Sequence, residues 1–164
     1  MEPPDTFHLS AAIGWMELGN CQEAHEELGQ ISPALHAHPD VLAARLEICS
    51  KAGQWDKAAE TARALVQIRR KEPQFWISLA YATRRMPGGG LPQAQEILMN
   101  ARPLFPKHPL IAYNLACYSC QRGNLEAARY WLKTASDLGN ANAVKVMALN
   151  DLDLKPLWKE IGGS

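Results

Sequence analysis

Several things are scarce in this chain, and each scarcity removes a class of function. No apolar run approaches the roughly 20 residues that cross a bilayer, and Met1-Glu2-Pro3-Pro4-Asp5 shows no basic region followed by an apolar stretch. The expectation is a soluble, cytoplasmic protein with no membrane partner. Net charge is also missing. Lys+Arg and Asp+Glu are both 17 in 164 residues, so no field of one sign draws a polyanion and nucleic acid is not an expected partner. The local clusters Arg69-Arg70-Lys71 and Arg84-Arg85 read as helix C-terminal runs that offset the macrodipole. Four cysteines, Cys21, Cys49, Cys117 and Cys120, are too few and too embedded in apolar patterns for a disulfide framework. Catalytic motifs are absent as well: there is no recognisable Ser, His and carboxylate grouping. Gly88-Gly89-Gly90 neither follows a strand nor ends in the Lys-Ser or Lys-Thr of a phosphate loop. Neither an enzyme nor a cofactor is expected.

What is present is a motif that returns. Gly19-Asn20-Cys21-Gln22-Glu23-Ala24, Gly53-Gln54-Trp55-Asp56-Lys57-Ala58 and Gly123-Asn124-Leu125-Glu126-Ala127-Ala128 share a form: Gly, polar, bulky, polar, a fifth residue that is charged in the first two, then Ala. The first two glycines lie 34 residues apart and the third lies 70 beyond the second. Between the last two, Met86-Pro87-Gly88-Gly89-Gly90-Leu91-Pro92-Gln93-Ala94 replaces the tight turn by a longer loop. Pro39, Pro73 and Pro109 keep the same beat. Helix breakers twice per period signal a helical solenoid, whose units bury their apolar faces only by stacking.

Read this way, the chain is a single domain over 1–164 with helix pairs at 5–38, 39–72, 73–108 and 109–138. Asp5 is positioned to cap a first helix carrying Phe7, Ala11, Ala12 and Trp15 at helical spacing, which Gly19 ends. Each later pair opens at a proline, tolerated in a first helical turn. After Leu138, a run containing Val144, Val146, Met147 and Leu149 predicts a capping helix over 140–150. Leu152, Leu154, Leu157 and Trp158 are expected to fold back against it. Deleting 139–164 is expected to expose the fourth pair.

Over residues 5 to 138 the chain resembles the tetratricopeptide repeat family. In that family, large and small residues alternate on the inner side of each first helix, Ala and a large residue recur on the second, and a Pro closes the unit. The third pair carries the pattern through Trp76, Leu79, Ala80, Ala94, Leu98, Ala101 and Pro106, and the fourth through Leu115, Ala116, Ala128, Leu132 and Ala135. The second carries it through Leu46, Ala58 and Leu65, with Arg45 where a Leu is usual. The first carries it through Ala12, Trp15, Ala24, Leu28 and Ile31. The resemblance implies an all-α, right-handed superhelical array of antiparallel pairs, acting as a non-catalytic module that binds a protein or peptide in a groove lined by the first helices. Carried onto this chain, the groove positions are Leu9 and Ile13; Glu47 and Lys51; Gln74, Ile77, Tyr81, Arg84 and Arg85; and Tyr113, Asn114, Cys117 and Gln121. Members that clamp the acidic C-termini of heat-shock chaperones hold Lys, Asn and Arg at places that here hold Leu9, Ile13, Ala44, Gln74 and Ser78, so that ligand is not expected.

Two other readings compete with the groove. Cys117-Tyr118-Ser119-Cys120 has the spacing of redox and metal sites, but one pair supplies two ligands where structural zinc needs four. A thioredoxin-like pair would also sit at a helix N-terminus beyond a strand. Alternatively, the groove or the apolar tail mediates association into a homo-oligomer. His36, His38 and His108 fall in the loops just before helix-opening prolines and need no metal to explain them.

Overall fold

A glycine at the end of a helix lets the chain enter the left-handed region that other residues avoid, and this sets the spacing of the whole chain. The structure is a computed structural model describing residues 1–163. In it Gly19, Gly53 and Gly123 have φ of 81°, 68° and 78°. Each donates its N–H to the carbonyl three residues back (Gly19 to Met16, Gly53 to Ser50, Gly123 to Cys120), and the next residue donates to the carbonyl five back (Asn20 to Trp15, Gln54 to Cys49, Asn124 to Ser119). This double bond satisfies carbonyls that a helix end leaves without a partner. Asn20 and Asn124 then cap the next helix, their Oδ1 accepting from the Glu23 and Ala127 N–H at 3.2 and 3.0 Å. One Gly-Asn pair thus stops one helix and starts another.

The resulting helices are α1 (Asp5–Glu17), α2 (Cys21–Gln30), α3 (Pro39–Lys51), α4 (Trp55–Ile68), α5 (Pro73–Arg85), α6 (Leu91–Ala101), α7 (Pro109–Gln121), α8 (Leu125–Leu138), α9 (Ala141–Leu149) and α10 (Trp158–Gly162). Short 3-10 turns occupy Pro33–Leu35 and Leu152–Leu157. The expected all-α repeat architecture is what the structure shows, and no described helix is long and apolar enough to cross a membrane. Contacts divide the chain at the glycine loop into two compact units, Met1–Gly88 and Gly89–Ser164.

In the first unit α1 packs on α2, α3 on α4, and α5 on α4. Alanines make this close approach possible. Ala58, Ala59 and Ala62 on α4 and Ala80 on α5 are fully buried, and Ile48 and Leu65 fill the space beside them. In the second unit α7 packs on both α6 and α8, with Ala94, Ala101, Ala112, Ala116, Ala128 and Ala135 fully buried around Leu98, Ile111 and Leu115.

Two local expectations are corrected. Asp5 does not cap α1. It is already helical, and its carboxylate instead accepts from the Ser32 backbone N–H at 2.7 Å and its hydroxyl at 3.1 Å, tying the helix start to the α2–α3 linker. Of the expected α1 residues Phe7, Ala11, Ala12 and Trp15, Ala12 alone is buried. Phe7 is 67% exposed and Trp15 38%, whereas Ala12 and Met16 are buried. The α1 sequence is apolar on every side, so its periodicity singles out no face for the core.

The repeated turn is testable by opposite signs at two glycines. Space is open around both Gly123 and Gly14, so an added methyl group acts through the backbone alone. Gly123→Ala forces a left-handed alanine and is expected to cost about 1–2 kcal/mol. Gly14→Ala, inside α1, is expected to gain about 0.5–1 kcal/mol. Urea denaturation of both variants, with equal m-values, checks this; the same sign for both would contradict it.

Candidate functional site

Three first helices, α3, α5 and α7, begin at a proline and run 13 residues each, so their positions align without gaps. The fifth, ninth and thirteenth residues share one helical face. They are Ala43, Glu47 and Lys51 on α3, Ile77, Tyr81 and Arg85 on α5, and Tyr113, Cys117 and Gln121 on α7.

In the first unit, Ala43, Glu47, Lys51, Ile77 and Tyr81 line a shared concavity of about 400 Å³, and Arg85 stands beside it against Tyr81. Its floor is apolar, from Leu46, Phe75 and Ile77; its rim is polar, from Glu47, Ser50, Lys51, Gln74 and Ser78, with Tyr81 at one side. Tyr81 is 42% exposed yet held in place. Its ring meets Trp55 edge-on at 5.7 Å, and the Arg85 guanidinium lies 3.4 Å from its centroid and 5.5 Å from that of Trp55. Arg85 also donates to the Tyr81 carbonyl at 3.1 Å. Lys51 donates to the Met16 carbonyl at 3.3 Å, which places its ammonium at the C-terminal end of α1. Trp55 is absent from the sequence-derived set. It is the bulky residue of the Gly53 motif, and that position starts α4 beside the end of α5.

Of the other sequence-derived residues of this unit, Leu9, Ile13 and Arg84 do not line the concavity, whereas Gln74 sits on its rim. Leu9 packs against the core formed by α1, α2 and α3. Ile13 is 38% exposed on α1 and does not line the concavity. Gln74 is engaged with the Glu72 carboxylate at 2.6 Å, and Arg84 is half-buried at the end of α5.

In the second unit the corresponding face is already covered by the chain itself. Asp151 Oδ2 accepts from the Tyr113 hydroxyl at 3.0 Å and from the Cys117 thiol at 3.4 Å. Gln121 donates to the Asp153 carbonyl at 2.9 Å. Leu154 and Leu157 of the 3-10 turn are 0% and 1% exposed. The Trp158 indole closes the return by donating to the Ala148 carbonyl at 2.8 Å, and Arg129 holds α10 through two 2.7 Å bonds to Glu160. Tyr113 and Cys117 are buried as a result. The sequence places both in a partner groove; in this structure they face the C-terminal segment, which covers the apolar side of α7. Burial foremost, then the neighbouring thiol and the Asp151 bond, raise the Tyr113 pKa and keep the phenol a donor. Asn114 turns back to the Leu110 carbonyl at 2.8 Å.

The thiol reading finds little support in this geometry. Cys117 and Cys120 lie in the body of α7, away from its N-terminus, and burial raises the Cys120 pKa, so it stays protonated at neutral pH. Among the described residues, one group of three potential ligands, Cys117, Asp151 and Asp153, falls within 4.8 Å. Its soft thiol and hard carboxylates suit different metals, and both Asp151 oxygens are occupied by the bonds above and by the Asp153 N–H at 2.9 Å. A further cleft of about 350 Å³ lies between α8, α9 and α10. Two of its three lining cations, Arg129 and Lys133, are paired with Glu160 and Asp137; the third is Lys145.

No family model and no curated protein matches the chain in sequence. Solved structures do match in shape. A MamA double mutant (RS-1 ArsTM) superimposes with a TM-score of 0.73 at 15% identity, covering 87% of this chain and 79% of its own. TTC0263, a thermophilic TPR protein of Thermus thermophilus, does so with a TM-score of 0.65 at 19% identity, covering 96% and 98%. The fold is tetratricopeptide-like. At such identities the likeness speaks for architecture alone. Which face binds, and what, must be argued from the residues.

Covering of α7 by the C-terminal segment carries a stability prediction. Leu154→Ala and Leu157→Ala are each expected to cost about 2–5 kcal/mol. Asp151→Asn, which keeps an acceptor for the Tyr113 hydroxyl, is expected to cost only about 1 kcal/mol. Urea titrations of the three variants check the order; equal stability of the leucine variants and the native chain would contradict it.

Proposed function

We propose that the protein is a non-catalytic interaction module that takes a peptide segment of a partner protein on the α3–α5 face. The reading is carried by one observation: within the first unit an apolar concavity with a polar rim has an exposed tyrosine already fixed in position between Trp55 and Arg85. A preordered aromatic side chain loses little freedom on binding and presents a large amphipathic surface, the pattern of an interface hot spot. Ile77 and Leu46 supply an apolar floor, while Glu47, Lys51 and Gln74 supply register. The face of α7 is closed by the chain's own segment and belongs to the fold. The scaffold role of the architecture in general agrees with this reading, and among the described residues no grouping of titratable side chains offers a competing chemistry.

Affinity capture from a lysate of the source organism tests it, with the native protein compared with Tyr81→Ala and Ile77→Ser variants of unchanged helical circular dichroism. A partner retained by the native protein and lost by both variants is the expected result. For that partner, Tyr81→Ala should weaken binding by at least 2 kcal/mol, about 30-fold. Equal retention by all three would move binding off this face. Capture of the chain by itself would make the face a homo-oligomer contact.

A further inference from the structure

The face of α7 shows what kind of segment such a face holds in this protein. The occupying stretch reads Asp151-Leu152-Asp153-Leu154, an alternation of carboxylates and leucines. It is read by position. The fifth and ninth residues of α7, Tyr113 and Cys117, donate to the Asp151 carboxylate; the thirteenth, Gln121, donates to the Asp153 carbonyl; and Leu154 fills the apolar space. On the α3–α5 face the thirteenth positions are Lys51 and Arg85, and the ninth position of α5 is Tyr81. Where α7 offers a neutral amide, the first unit offers two cations. Hydrogen bonds from cations to carboxylates are shorter and about twice as strong as neutral ones. Among the described residues, Glu47 is the one acid lining this concavity, and it disfavours a carboxylate at the ninth position of α3, leaving the Lys51 and Arg85 end as the place where negative charge is stabilised.

We propose that the segment bound by the α3–α5 face is acidic and leucine-bearing, of the Asp-Leu-Asp-Leu kind, with its leucine on the Leu46–Ile77 floor and its carboxylates received by Lys51 and Arg85. This deepens the reading above and rests on it. The segment belongs to a partner protein and not to a second copy of this chain, because Leu154 and Leu157 of its own acidic stretch are fully enclosed and would have to leave the core to reach another molecule. Carboxylate contacts with the exposed Lys51 and the half-buried Arg85 also make binding salt-sensitive.

The test is selection of a phage-displayed random nonapeptide library on the full-length protein, followed by fluorescence anisotropy of the enriched peptides at about 50 and about 300 mM NaCl, on either side of physiological ionic strength. The expected result is enrichment of peptides with two or more Asp or Glu beside Leu. Their affinity should fall at least tenfold in Lys51→Gln and in Arg85→Gln, rise about threefold in Glu47→Gln, and fall with salt, while Lys133→Gln, in the second unit, changes nothing. Enriched peptides that are neutral or basic, and that bind less well to Tyr81→Ala, would overturn the acidic inference and leave the groove reading standing. No enrichment, or binding indifferent to all of the α3 and α5 substitutions, would overturn both. Growth of the particle size by light scattering without added peptide, abolished by Leu152→Ser, would assign the face to a second copy and overturn the choice of a partner protein.

Discussion

A pair of helices of this composition has more apolar surface than its own contact can bury, and every other feature follows from covering what is left. Alanine at the crossing points lets helices approach closely, which maximises the area removed from water for each pair. The neighbouring helix covers the remainder, as α5 does for α4 and α7 does for α6. The constraint is local, since each helix contacts chiefly those next to it in sequence. Local contacts of this sort need short, reproducible connections. The Gly-Asn turn supplies one by ending a helix with two hydrogen bonds and beginning the next with a third.

The same constraint treats the two ends of the chain differently. At the C-terminal end the last first helix, α7, is closed by the Leu152–Leu157 turn, with Leu154 and Leu157 inserted and Asp151 accepting from the Tyr113 and Cys117 donors that face it. At the N-terminal end, Phe7 of α1 and Leu18 just after it are exposed, at 67% and 77%. A helix apolar on all sides can bury one face in its own pair and still present another. The buried face is chosen by tertiary contact with α2 and α3 and not by its own pattern.

That difference marks how far the sequence can be read. The turns were legible because left-handed glycine is a local requirement, written at each site by the residue itself. The proline starts were legible for the same reason, and with them the alignment of fifth, ninth and thirteenth residues that defines the candidate face. Side chains whose environment is set by distant residues were not. Tyr113 and Cys117 look like Tyr81 and its neighbours when only their own helix is considered. What separates them is a segment more than 30 residues later in the chain, and nothing within α7 announces it. Trp55 and Arg85 likewise meet across 30 positions. The CxxC spacing was misleading in a related way, because three residues on a helix bring two thiols to one side whether or not chemistry is done there.

Zero net charge hides a directional arrangement. Cations favour helix C-terminal ends because of the macrodipole. Within the first unit the last turns of α3 and α5 carry the cations Lys51 and Arg85. A feature that begins as a local correction to helix ends becomes a positive edge beside an apolar floor. The fourth pair, which ends its first helix in Gln121, lacks that edge and holds its segment through neutral donors and buried leucines. Charge at the thirteenth position therefore separates the α7 face, which the chain's own segment covers, from the open face of α3 and α5. A neutral amide contact with two enclosed leucines depends on burial and resists release, whereas a charge-assisted contact at an exposed rim speeds encounter and is weakened by salt.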